Sequence, residues 1–189
     1  MINEADGIVT QVGDGVYDLR FERRYRLPVE TVWAALTEPA RLADWLAQAR
    51  IDLRVGGLIE LTWPTMGDGL KEKIIALDPP RLLAFNWSEP DGAPGSVVRW
   101  ELFEEHGGSR LVMTHTLVRV GHLLDVGSGW HNILDGLPDA AGRRDPLPWS
   151  AERERAARAR QLAELVGHYR AFLPREAAEV ELKPAAKGV

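Results

Sequence analysis

Apolar side chains recur at steps of three and four across residues 122–142, and the spacing predicts an amphipathic helix there. Leu123, Val126, Trp130, Ile133, Leu134, Leu137 and Ala141 fall along one stripe. Upstream the period changes to two. Ile51, Leu53 and Val55 share a strand face, as do Ile59, Leu61 and Trp63. The same holds for Leu83, Phe85 and Trp87, then Val98, Trp100 and Leu102, then Leu111, Met113, His115 and Leu117.

Turn chemistry divides these runs. A short strand over 7–12 meets the turn Gly13-Asp14-Gly15, and a longer strand follows over 16–27. Pro28 opens a short helix with Val29, Val32, Trp33 and Leu36 at helical spacing, and Pro39 opens a second with Leu42, Trp45 and Leu46 on one side. Gly56-Gly57 suits a tight hairpin after a strand over 51–55, 64–69 reads as a loop, and strands over 70–77 and 81–87 flank Asp78-Pro79-Pro80. His106-Gly107-Gly108 makes the last turn. The count is about seven strands, antiparallel because the connections are too short for crossovers. The fold class is α+β: a curved antiparallel sheet closed by the helix over 122–142, with two short helices after the first long strand.

Pro138 lies late in the closing helix and predicts a kink or an early end there. Beyond the link 143–148, Ser150 caps an extra C-terminal helix running to about residue 173. Leu162, Leu165, Val166, Tyr169, Phe172 and Leu173 dock its second half, whereas the first half reads as a solvated face with a Glu154–Arg158 pair. Residues 1–174 read as one domain and 175–189 as a disordered tail.

Composition narrows the classes. The net charge of −5 argues against nucleic acid, and the absence of cysteine removes disulfides and thiolate chemistry. No apolar run is long enough to enter a membrane and the N-terminus lacks a leader pattern, so a cytoplasmic protein is expected. There is no G-x-S-x-G elbow, H-E-x-x-H or P-loop; Gly127-Ser128-Gly129 lacks a preceding strand and reads as a flexible point in the helix.

The segments LRFERRYRLPVETVWAALTEPARLADWL, DLRVGGLIEL, ALDPPRLLAFNW, SRLVMTHTLV and SGWHNILDGL, in that order, resemble the activator of heat-shock-protein-90 ATPase homologue family within the START-like, or SRPBCC, superfamily. The resemblance covers residues 19–137. It implies the helix-grip fold and a cavity between sheet and long helix, with hydrophobic ligands common and catalysis confined to some branches. Two departures stand out. Relatives often carry a pocket-facing Glu on the strand before D-P-P, where this chain has Ala76. The eukaryotic co-chaperones bring an additional N-terminal domain for which this chain has no room, so a chaperone partner is open but not expected.

His115 shares its face with Leu111 and Met113 and resembles the histidine of the family's corresponding strand, with Ser109, six positions earlier, where the family commonly has Thr. It is either a general acid or base or a hydrogen-bonded core residue. His131 and Asp135, four apart, are spaced as a metal pair, but no third or fourth ligand is in sight, so a hydrogen bond at the solvent edge or the pocket rim is expected. The tryptophans form either an aromatic box for a planar or cationic ligand or plain core: Trp33, Trp45 and Trp63 read as core, while for Trp87, Trp100 and Trp130, on the elements that bound the cavity, core and pocket lining both stay open. Arg99 and Glu101 read as a solvated pair. The candidate ligand-binding set is Trp63, Phe85, Trp87, Trp100, Met113, His115, Trp130 and Leu134, with no metal or cofactor.

Three functions follow. The first is binding of a small hydrophobic molecule. The second is an enzyme of the polyketide cyclase or aromatase kind using His115. The third is a protein-binding module, chaperone-associated or otherwise, with a homodimer allowed.

Overall fold

The computed structural model describes residues 6–88 and 95–186. Along the chain the elements are β1 (Ile8–Gly13), β2 (Val16–Tyr25), α1 (Val29–Thr37), α2 (Pro39–Trp45), β3 (Gln48–Ile51), β4 (Leu58–Trp63), β5 (Asp68–Asp78) and β6 (Leu82–Trp87). Then follow β7 (Ser96–Glu105), β8 (Gly108–Arg119), α3 (Val120–Gly142), α4 (Ala151–Arg160), a π turn (Gln161–Leu165), α5 (Val166–Arg170) and α6 (Arg175–Ala178). The eight strands make one antiparallel sheet in the order β1-β2-β8-β7-β6-β5-β4-β3. This is the helix-grip arrangement, with one strand more than the periodicity suggests. Among the described residues, no helix is long and apolar enough to cross a membrane.

Period-two patterning explains the sheet. In β7, Ser96, Val98, Trp100 and Leu102 are buried while Val97, Arg99 and Glu101 are partly exposed, and Arg99 pairs with Glu101 at 2.9 Å on the outer face. The inner face meets α3 through Leu123, Trp130, Leu134 and Leu137, all essentially buried. Each such side chain contributes roughly 1.5–3 kcal/mol of burial free energy. Along the flank of α3 that carries Gly127 and His131, Leu165, Val166, Tyr169 and Leu173 dock as their spacing predicts. Gly127 permits this approach, since a Cβ there would lie 3.1 Å from the Tyr169 ring.

Several expectations are corrected. The third strand is Gln48–Ile51, pairing Ala49 with Leu61 and Ile51 with Ile59. The backbone of Gly56 and Gly57 instead bonds Ile74 (2.8 and 2.9 Å), which pulls 52–57 into a turn and leaves Leu53 and Val55 exposed. Leu117 does not share the inner face of Met113 and His115. Tyr17 faces Val118 and Leu19 faces His115, so β8 spends one residue more than β2 and forms a bulge. Leu117 takes φ 62° and points outward, its N–H donating to Asp18 Oδ1 at 2.9 Å, while Val118 takes the buried place.

The closing helix does not stop at Pro138 but continues to Gly142. Proline removes one helical hydrogen bond, and the burial of Leu137, Ala140 and Ala141 around it offsets that loss. Ser150 caps α4, its hydroxyl accepting from Arg153 N at 3.4 Å, yet the extra helix is interrupted by the π turn. Glu154 and Arg158 do not pair. Each has a partner from a distant segment, described below. Residues 175–186, read from the sequence as part of a disordered tail, form α6 and an extended strap that buries Ala177 and bonds Ala186 N to Thr65 O at 2.7 Å. The rest of that tail, 187–189, lies outside the described residues, as do 1–5 and 89–94.

Candidate functional site

His115 stands on the inner face of β8, fully buried between β7 and α3. The Trp130 indole N–H donates to its Nδ1 at 3.0 Å. An indole nitrogen only donates, so the ring proton sits on Nε2. That N–H faces Ser96 Oγ at 2.8 Å, and the Ser96 hydroxyl donates to Trp87 O at 2.9 Å. Burial drives the imidazole pKa down to about 3. The ring is therefore neutral near pH 7, and its one acceptor lone pair is occupied. Buried and hydrogen-bonded at both ring nitrogens, His115 has the surroundings of a core histidine.

His115 belongs to a continuous aromatic cluster. Ring centroids lie 5.3 Å apart for Trp87–His115, 5.4 Å for Trp87–Trp130 and 5.9 Å for Trp63–Trp87. Trp100 joins through Trp130 and Trp45, each at 6.4 Å. Two of these indoles are pinned from outside the cluster, Trp45 by Ala35 O and Trp63 by Leu46 O, both at 2.9 Å.

The cluster floors a cleft of about 1060 Å³. Trp45, Trp63, Trp87 and Trp130 line it, together with the 66–70 turn, the outer face of α3 at Val126, Gly129, Ile133 and Gly136, and the inner face of α4 at Ala156 and Ala157. Of the sequence-derived set, Trp63, Trp87 and Trp130 reach this space. Phe85, Trp100, Met113, His115 and Leu134 lie beneath it, none more than 1% exposed. The open volume is thus set to one side of the sheet–helix core. Trp45, read as core, is part of its lining.

Polar groups rim the cleft in pairs. Arg143 bonds Asp44 at 2.8 Å, and Asp44 also accepts from Leu147 N. Arg160 bonds Asp135 at 2.9 Å. The buried Arg158 contacts Asp125, Gln161 and Lys183 O. Gln161 in turn donates to Ser128 Oγ, whose hydroxyl bonds Leu124 O at 2.7 Å. Ser128 is therefore a fixed, buried node of α3 and not a flexible point. Nothing in the local pattern around Ser128 or Arg158 signals this network, because its members come from α3, α4 and the tail.

His131 and Asp135 lie with their nearest atoms 3.7 Å apart. His131 Nδ1 contacts Tyr169 OH at 3.2 Å, and its pKa is lowered chiefly by burial. Asp6 bonds His168 at 2.8 Å beside them. Among the described residues, no three His, Asp or Glu side chains converge as a metal ion requires.

The sequence matches the family described as "Activator of Hsp90 ATPase homolog 1-like protein" over residues 26–142, more than half of the chain. No curated protein matches it. Among solved structures it is similar to CalU16 from Micromonospora echinospora, with 32% identity, a TM-score of 0.60 and coverage of 85% of this chain and 94% of that one. BPP1335 from Bordetella parapertussis shares 30% identity at a TM-score of 0.56, over 85% and 91% of the two chains. DynU16, a protein of the dynemicin biosynthetic locus, shares the fold at a TM-score of 0.63 with 21% identity, over 72% and 51%. With its eight-stranded grip around α3 and this match across sheet and helices, the chain belongs to the Activator of Hsp90 ATPase homolog 1-like family, within the START-like superfamily.

Proposed function

We propose that this protein binds a small hydrophobic, ring-bearing molecule in the cleft between α3, α4 and the β4–β5 turn. The observation that carries the reading is the floor of four indoles beneath about 1060 Å³ of open space. A volume at the upper end of ligand pockets, with an indole floor on one side and polar side chains such as Asn132, Arg158 and Gln161 on the other, suits a drug-sized, largely apolar molecule that carries a few polar groups. The partly exposed faces of Trp45, Trp63 and Trp87 add stacking to simple burial. His115 enters this reading through the Trp130 indole that it holds and not as a proton carrier. Structural likeness to DynU16 is one of fold, so the argument rests on the cleft itself.

Gly136 supplies the test. It lines the cleft, and nothing lies within 4 Å of a Cβ built there, so Gly136→Trp fills the space without disturbing the core. Titration with 8-anilinonaphthalene-1-sulfonate is expected to show saturable one-to-one binding to the native chain and none to the variant. Native mass spectra of freshly purified protein should likewise show an adduct that denaturation and Gly136→Trp both remove. Failure of the dye to bind at a single site, or equal binding by the two proteins, refutes the reading.

A further inference from the structure

We propose that α4 is a lid over the aromatic cleft, hinged at the π turn, latched at Thr65, and joined at its free end to a link that Asp44 holds in place. The lid motion is a property of the chain; its role in admitting a ligand rests on the binding function proposed above.

The two halves of the C-terminal helix are held by different physics. From the π turn onward, Leu165, Val166, Tyr169 and Leu173 are buried against the body of the domain. In α4 the only buried residue is Arg158. Its inner face offers Ala156 and Ala157 to the cleft, and no larger apolar side chain. A helix that buries almost no apolar surface is held by its polar contacts alone, and segments held in that way open locally before the core does. The change of regime falls at Gln161–Leu165, where the π turn breaks the regular helical ladder.

The link is anchored separately, Arg143 and Leu147 N both bonding Asp44, and Arg158 ties the C-terminal half of α4 to Asp125 and Gln161; the remaining polar contacts lie near the hinge and at the free end. Near the hinge, Asn132 donates to Ala157 O at 2.9 Å and Arg160 reaches Asn132 and Asp135. At the free end a single carboxylate closes the gap to the β4–β5 turn. Glu154 Oε1 accepts from the Thr65 backbone N–H at 2.7 Å and from the Thr65 hydroxyl, while Oε2 accepts from the Trp149 indole at 2.7 Å. The tail straps the same point from outside. Arg158 donates twice to Lys183 O, at 2.9 and 2.7 Å, and Ala186 N bonds Thr65 O. Loss of Glu154 therefore unlatches the N-terminal turns of α4 from Thr65 while the Arg158 and Arg160 contacts near the hinge, α3, the sheet and α5 stay in place.

Hydrogen exchange of the full chain tests this without any ligand. In the native protein the amides of Ala151–Arg160 are expected to exchange as one group, faster than those of α3. Glu154→Ala should accelerate that group at least tenfold and leave α3 and the sheet unchanged; Glu154→Gln, which keeps an acceptor oxygen, should restore most of the protection. Because the chain has no cysteine, spin labels at Glu152→Cys and Lys71→Cys report the lid-to-sheet distance directly, and a longer population should grow in the Glu154→Ala background. In stopped flow with 8-anilinonaphthalene-1-sulfonate, Glu154→Ala should raise the association and dissociation rates together. Unchanged exchange and distances overturn the lid. A mobile α4 with unchanged dye kinetics overturns its gating of the cleft. A mobile α4 in a protein that binds no dye upholds the hinge and refutes the binding function instead.

Discussion

The Trp130 indole N–H donates to His115 Nδ1 at 3.0 Å, so a floor residue of the cleft is oriented by a histidine that never reaches solvent. This relationship has a pH signature. The imidazole titrates near 6.5 when unfolded and at about 3 when folded. Above the unfolded value its contribution to stability is complete. As the pH falls below it, the unfolded chain takes up a proton that the folded chain refuses, and stability declines by about 1.4 kcal/mol per pH unit. Urea denaturation of the native protein should therefore lose about 2 kcal/mol between pH 7 and 5 from this group. His115→Gln keeps an acceptor for Trp130 and a donor for Ser96 but does not titrate, so its pH dependence should be weaker by that amount. Equal slopes in the two proteins would show that His115 is not held neutral.

Two glycines of α3 should respond oppositely to the same substitution. At Gly136 an added methyl group meets open space, and Gly136→Ala should gain about 1 kcal/mol from helix propensity. At Gly127 the methyl group would lie 3.1 Å from the fully buried Tyr169 ring, so Gly127→Ala should cost about 1–2 kcal/mol through overpacking. Thermal melts of both variants check the pair, and a gain at Gly127 would mean that α5 is free to move away from α3.

Leu117 occupies left-handed backbone at φ 62° with its side chain exposed. Leu117→Gly relieves a backbone strain of about 1–2 kcal/mol and gives up the burial of a side chain that is half exposed, for a net gain of at most about 1 kcal/mol. Leu117→Val places a β-branched residue in the same conformation and should destabilise. If the two variants melt alike, the bulge rearranges in solution.

What could be read from the chain, and what could not, follows from how far each contact reaches. Leu123, Trp130, Leu134 and Leu137 declare their helix face through a local period, and the structure places all four in the core. Strand faces are equally legible at Phe85, Trp87, Trp100 and His115. A face does not state depth: Trp87 lines the cleft while Phe85, two residues earlier, is sealed beneath it, because α2 and α4 decide what is covered. Partner choice is harder still. Glu154 and Arg158 have the spacing of a helical ion pair, yet Thr65 and Lys183 O, far away in sequence, hold them apart. The bulge at Leu117 carries no compositional mark, since leucine is a poor signal for positive φ.

Thr65 is hydrogen-bonded on one side to Glu154 and on the other to Ala186, and this has a consequence for the order in which the protein is made. Chains emerge from the ribosome N-terminus first, and early segments organise before late ones exist. The turn carrying Thr65 is synthesised before β7, β8 and α3, whereas Ala186, which fastens its far side, follows all three. A newborn chain can therefore complete its sheet and seat α3 while one wall of the cleft is still unfastened. The aromatic floor is at its most accessible during that interval, and the cleft reaches its final shape only when Glu154 and Ala186 have both reached Thr65.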